Sequence, residues 1–211
     1  MDLVNELQIS AERDDVLTVL RKARRLASKL GVSSIDHWLE SEQNGYSQTD
    51  KLPNYRVLLG TLVYRTNGPI PYGFGYNVNG ILPISEDKPI RQCIWESIAE
   101  VTETVSRCGD SSLYVTAREQ ATLRRMFDHH IADQFTFMIR ISKCQYTAIP
   151  ERVKDTVLDW ACQLERNGIV GKDMSFNPEE RSKAESITFN ISGSSIGQLN
   201  NMGTNSIGEL V

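Results

Sequence analysis

A chain of 211 residues, 40% apolar and 24% charged, is long enough to bury one sizeable core and to carry an appendage besides. Its formal net charge of −4 excludes a whole-chain electrostatic attraction to nucleic acid or to an anionic membrane. No stretch approaches the roughly 18 uninterrupted apolar residues of a membrane-spanning helix, and the opening MDLVNELQIS has an acid where a secretory leader has cations, so a cytoplasmic location is expected.

The first third reads as helical. A short helix is expected from Leu3 to Ile9, followed by a longer one in which Val16, Val19, Leu20, Ala23, Ala27 and Leu30 form an apolar stripe. Gly31 then stands where a helix end uses a positive φ. The other side of this helix is basic, with Arg21, Lys22, Arg24, Arg25 and Lys29, and Asp36, Glu40 and Glu42 on the next helix are its candidate partners. That next helix starts from Ser34 as N-cap, buries Ile35, Trp38 and Leu39, and stops at Gly45.

After Pro53 the pattern turns extended. Tyr55 to Arg65 is rich in β-branched and aromatic residues with apolar groups on both sides, which predicts a well-covered strand. Glycines and prolines punctuate Asn67 to Pro89, which predicts a long irregular loop with at most one short strand near Val78 to Leu82. A helix is expected from Ile90, with Cys93, Ile94, Ile98, Val101 and Val105 along one side, up to Gly109. A strand at Leu113 to Thr116 and a helix over 118–127 follow. In Gln134 to Ser142, Phe135, Phe137, Ile139 and Ile141 alternate with Thr136, Met138, Arg140 and Ser142, the mark of a strand with one strongly buried face. Pro150 should open the next helix as its first-turn residue, carrying Val153, Val157, Trp160, Ala161 and Leu164 to Gly168. A last short helix is capped by Asn177 and begins at Pro178. The expected fold class is α+β: a helix-rich body over 1–183 with a small β-sheet, plus a C-terminal β-rich tail.

The tail begins at Ile187, where the composition changes abruptly: to Val211 there is no lysine or arginine and one acid, Glu209. Ser195-Ile196-Gly197-Gln198-Leu199 recurs eleven residues later as Ser206-Ile207-Gly208-Glu209-Leu210. Isolated apolar residues between turn-forming Asn and Gly cannot be sheltered by one hairpin, which is marginal in water. Copies stacked edge to edge would shelter them. Ile191, Ile196, Leu199, Met202, Ile207 and Leu210 are therefore the expected oligomerisation contacts, with a flexible terminus as the alternative.

Chemistry-bearing constellations are few. Asp128, His129, His130 and Asp133 are the one cluster with metal-ligating types, but adjacent histidines diverge by about 100° on a helix, so a polar helix end is the simpler reading and no metal is expected. Gly168-Ile169-Val170-Gly171-Lys172 is too short to cradle phosphates and Gly73-Phe74-Gly75 lacks a third glycine. Cys93, Cys108, Cys144 and Cys162 have no C-x-x-C spacing and read as small buried hydrophobes. The basic run is the best nucleic-acid candidate, although no aromatic residue interleaves to stack bases, which favours a solvated face.

The order of Leu20-Arg21-Lys22-Ala23, Asn44-Gly45-Tyr46, Pro53-Asn54-Tyr55-Arg56-Val57, Glu96-Ser97-Ile98-Ala99-Glu100, Val153 to Glu165, Gly168-Ile169 and Met174-Ser175-Phe176-Asn177-Pro178-Glu179-Glu180 resembles the AbiTii family over about residues 2 to 183. The resemblance implies a part in abortive infection, in which an infected bacterium stops growing before phage matures. It brings no catalytic residues and no cofactor to carry across. The expectation is a non-enzymatic interaction or sensing protein that homo-oligomerises through its tail and meets a phage or host protein partner. The alternatives are a toxin acting on nucleic acid or nucleotides, with a site in the Asn67 to Pro89 loop, and an immunity partner of a separate toxin.

Overall fold

In the computed structural model, which describes residues 2–33, 35–66, 81–108, 112–117, 120–125, 135–172, 175–185 and 187, the chain forms an α+β fold with two compact units, each built from separate stretches. The helical unit takes the chain up to Arg56, Trp95–Arg107 and the part from Tyr146; the sheet unit takes Val57–Ile94 and Cys108–Gln145.

Helix α1 (Leu3–Arg13) runs a turn beyond its expected end, because Ser10 and Ala11 continue the buried side begun by Leu3, Val4 and Leu7. Helix α2 (Val16–Leu30) has the predicted bounds. The Asp15 carboxylate accepts from Thr18 N at its start, and Gly31 closes it at φ 77°. Its seven buried residues, Val16, Val19, Leu20, Ala23, Leu26, Ala27 and Leu30, pack on α1, on α3 (Asp36–Asn44), on α4 (Ile98–Arg107) and on α7 (Pro178–Glu185). Ser34, expected to cap α3, lies outside the described residues, as do residues 67–80 of the stretch expected to be an irregular loop.

Helix α4 begins at Ile98 rather than Ile90. Ser97 and Glu100 form a capping box: Ser97 Oγ accepts from Glu100 N at 3.3 Å while the Glu100 carboxylate accepts from Ser97 N at 2.9 Å. Ile90 to Cys93, expected in this helix, are in a strand instead.

In the sheet unit, β1 (Val57–Thr66), β2 (Ile81–Cys93), β3 (Ser112–Thr116) and β4 (Phe135–Ser142) form an antiparallel sheet of order β2-β1-β4-β3. The 13-residue β2 replaces the irregular loop expected up to Pro89 and the first turns of the helix expected after it. Its prolines fit because β2 is an edge strand, where a missing N–H costs no ladder bond if it faces away from the neighbour. The pairing also shifts register between Gly60↔Ile90 and Leu62↔Ser85, so the stretch holding Pro89 bulges out of the ladder.

Strand β4 is central, with Phe135, Phe137, Ile139 and Ile141 between 0% and 5% exposed on the face expected to be buried, while Met138 on the other face is covered as well, at 7%. Gly60 lies opposite Ile141 in β1, and the space a Cβ would need there belongs to the Ile139 and Ile141 side chains, with Ile141 Cγ1 only 2.9 Å away. Two glutamine amides act as surrogate strand backbone. Gln145 donates to Leu59 O and accepts from Leu59 N, and Gln120, on the short helix α5 (Gln120–Arg124), does the same for Phe137.

Helix α6 (Lys143–Arg166) starts seven residues before the expected Pro150, which lies in its interior. Pro150 cannot bond to the Tyr146 carbonyl. Tyr146 and Ile149, 6% and 0% exposed, lengthen the stripe of Val153, Val157, Trp160, Ala161 and Leu164 and hold the extra turns in place. The cysteines are not the buried hydrophobes expected: Cys144 is exposed, two residues off that stripe, and Cys93, Cys108 and Cys162 are half-buried.

Candidate functional site

Three segments of the sequence resemblance converge inside the helical unit. Trp38 and Glu42 lie one turn apart on the buried side of α3. Gly45 stops that helix at φ 93°, and a Cβ there would sit 3.0 Å from the Trp95 carbonyl oxygen, so the chain can pass this close to the 95–97 segment only as glycine. Tyr46 N donates to that same carbonyl at 2.7 Å. The 3₁₀ turn Asn54–Arg56 then delivers Tyr55 and Arg56.

The centre is a buried ion pair. Glu42 and Arg56 side chains are both 0% exposed; Arg56 Nη2 donates to Glu42 Oε2 at 2.5 Å and Arg56 Nε to Oε1 at 3.2 Å. The hydroxyls of Tyr46 and Tyr55 each donate to Oε1 at 2.7 Å, Trp38 Nε1 donates to the Tyr55 oxygen at 2.9 Å, and Arg56 Nη1 donates to Glu96 O at 2.5 Å. The Arg56 guanidinium lies 5.0 Å from the centre of the Tyr46 ring. Desolvation and the neighbouring Glu42 carboxylate push both phenols well above the ordinary tyrosine range, so they stay protonated and donate.

This geometry decides what the cluster can do. A carboxylate has about four acceptor sites, and Glu42 receives four donors from within the chain. Three of these donors crowd onto Oε1 and one reaches Oε2, and the side chains of Glu42 and Arg56 are 0% exposed, so the carboxylate is closed to solvent and the cluster acts as a fastening that sets α3, the 45–56 segment and the start of α4 in one arrangement. Glu42, expected to partner the basic helix, pairs with Arg56 instead. A carboxylate on the stripe Ile35, Trp38, Leu39, Glu42 was the signal that a buried cation had to lie nearby.

A second carboxylate joins the two ends of the same unit. Glu180, 8% exposed, accepts from Val170 N and Gly171 N at 3.0 Å and from Asn177 N at 2.9 Å, while Asn177 Oδ1 caps Glu180 N at 2.8 Å. The carbonyls of Gly171 and Val170 accept in turn from Leu3 N and Val4 N in the first turn of α1. Burial raises the Glu180 pKa, but the N–H bonds from Gly171, Asn177 and Val170, with Lys172 nearby, outweigh it and hold the carboxyl below its ordinary range. Asn177 and Pro178 thus start α7 as expected.

The basic residues of α2 are brought together on its solvent side. Arg21, Arg24 and Arg25 are exposed, with Lys22 and Lys29 half-exposed. Lys22 is committed to acids, 3.0 Å from Asp14 and 3.9 Å from Glu6, and Arg24 donates to the Gln43 carbonyl at 2.9 Å. Lys22, Arg25 and Lys29 also border a recess of about 20 Å³ with Leu3, Glu6, Leu7 and Leu26, room for no more than a water molecule or two.

Asp128, His129, His130 and Asp133, and the six tail residues Ile191, Ile196, Leu199, Met202, Ile207 and Leu210, lie outside the described residues. Among the described residues, no group of three or more His, Cys, Asp or Glu side chains is arranged to hold a metal ion, and no helix is long and apolar enough to cross a membrane. In comparison with known proteins, the AbiTii family model matches residues 2–189. No curated protein and no solved structure matches the chain.

Proposed function

We propose, from the premise that this chain belongs to the AbiTii family, that it serves bacterial anti-phage defence by abortive infection as an interaction or sensing protein whose copies assemble through the C-terminal tail. Family membership supports the defence role. The observation that carries the assembly is the repeat Ser195 to Leu199 and Ser206 to Leu210, whose regularly placed Ile and Leu residues find shelter when tails from several copies stack. A non-catalytic body fits the polar cluster described above, in which the Glu42 carboxylate is 0% exposed and bonded within the chain.

The test is the mass in solution of the full chain and of a chain ended after Phe189, where the family match stops. A single copy is 23.8 kDa. The full chain is expected at a multiple of that mass and the shortened one at a single copy, with phage protection lost alongside. Equal copy numbers for the two chains would overturn the reading. Ile196→Asp combined with Ile207→Asp should reproduce the effect of the truncation.

A further inference from the structure

From Arg21 to Lys29, the α2 residues that are not buried are Arg21, Lys22, Arg24, Arg25, Ser28 and Lys29: five cations and one hydroxyl. The buried ones are Ala23, Leu26 and Ala27. The helix contains no acid to offset them. The sequence offered Asp36, Glu40 and Glu42 as neutralising neighbours, but Glu42 is spent inside the protein on Arg56. Lys22 is compensated by Asp14 and Glu6, and Arg24 donates to the neutral amide of Gln43. Among the described residues, Arg21 and Arg25 make no ion pair.

At about 1.5 Å of rise per residue, Arg21 and Arg25 stand roughly 6 Å apart along the axis on one side of the helix, with Ser28 about one turn further. That is a row of donors on a rigid support. Arginine prefers planar, multiply hydrogen-bonded oxyanions, and hydroxyls such as that of Ser28 are ordinary phosphate contacts. The row bears no aromatic residue, so it offers nothing to stack on a base. We propose that this face of α2 binds the phosphate backbone of a nucleic acid, independently of sequence. The site gives the body a partner class of its own and is independent of the tail.

The experiment uses the full chain and fluorescence anisotropy with two labelled probes, a thirty-nucleotide oligothymidylate and a duplex of the same length, at about 50 mM salt. With about three phosphates neutralised by Arg21, Arg24 and Arg25, affinity should fall about 20-fold on the single strand or about 40-fold on the duplex between 50 and 200 mM salt. The triple variant Arg21→Gln, Arg24→Gln, Arg25→Gln should lose most of the binding and of this salt dependence, while changing the same three residues to Lys should retain both. Neutralising Arg152 and Arg166 on α6, both exposed, serves as the control and should leave binding unchanged. Which probe binds tells single strand from duplex, and binding of either supports the site. Absence of binding to both probes, a triple Gln variant that binds like the parent, or an equal loss in the α6 control would each overturn it. Because the lysine variant keeps the charge, its retained binding separates a lost contact from a lost fold.

Discussion

Glu42→Gln removes the carboxylate paired with a guanidinium that is 0% exposed. The glutamine keeps one carbonyl oxygen for a site that receives four donors, and its amide nitrogen is turned on at least one of them: Tyr46 Oη, Tyr55 Oη, Arg56 Nε or Arg56 Nη2. Removing one partner of a buried pair costs about 3–5 kcal/mol, because the remaining charge stays buried without compensation. That is a large part of the roughly 5–15 kcal/mol that holds a typical protein folded. With a urea slope of about 2–3 kcal/mol/M, the unfolding midpoint should drop by about 1–2.5 M. The second arm is the double variant Glu42→Gln with Arg56→Met, which exchanges the stranded charge for apolar volume and should be more stable than the single variant by over about 1 kcal/mol. A midpoint shift of less than about 0.3 M in the single variant, or a double variant in which the two losses simply add, would refute the account of this cluster as a mutually dependent pair.

Gly60→Ala should destabilise by about 1–3 kcal/mol, since a Cβ intrudes on Ile139 and Ile141 in a packed layer; thermal melting checks this, and an unchanged melting temperature would show that the isoleucines can move aside. Glu180→Gln leaves N–H groups of Val170, Gly171 and Asn177 short of an acceptor, with an expected cost of about 1–3 kcal/mol; amide exchange should speed up at Leu3, Val4, Val170 and Gly171 before it does in the sheet. The same carboxyl predicts an acid limb: its folded pKa is lowered, so its contribution is present above the unfolded value of 4.5 and is lost as pH falls through the folded one. Glu180→Gln should flatten stability against pH in that window. Tyr46, Tyr55 and Tyr146 give an alkaline limb of opposite sign. Their folded values are raised, that of Tyr146 to about 12 by burial and the Glu96 carboxylate, so stability is complete below the unfolded value of 10.0 and falls above it. Urea midpoints measured from about pH 9 to 11 should fall along with the ionisation of the tyrosines, and a flat profile would contradict the burial of these phenols.

Much of the fold is legible where one local signal dominates. The stripe of α2 with its Gly31 stop, the alternation in β4 and the Asn177-Pro178 start of α7 each follow from neighbouring residues alone. The failures occur where a distant partner decides. Pro83 and Pro89 read as loop punctuation, yet β1 supplies a neighbour along one side only, and an edge strand tolerates them. Ile90, Cys93 and Ile94 are spaced like a helix, but Ile90 and Cys93 lie in the last residues of β2 and Ile94 follows it; the Ser97 to Glu100 capping box was the local mark of where the helix begins. Pro150 reads as a first-turn residue because nothing local reveals that Tyr146 and Ile149 are buried ahead of it. The same holds for the polar cluster. Asn44 to Tyr46, Pro53 to Val57 and Glu96 to Glu100 stood out as family-like segments, but that they meet around Glu42 and Arg56 is a property of the tertiary structure, with Glu96 placed 40 positions after Arg56.

The Glu180 clasp has a mechanical meaning. Ile187, the last residue described before the repeat region, is bonded through its N–H to Ala184 at the end of α7, and α7 is tied by Glu180 to the same short segment that receives the first turn of α1. Traction on the far end of the polypeptide is therefore carried to its beginning through hydrogen bonds to a single carboxylate and two carbonyls. In an array of copies drawn together by their tails, load arriving at α7 would be passed on to α1 by these bonds.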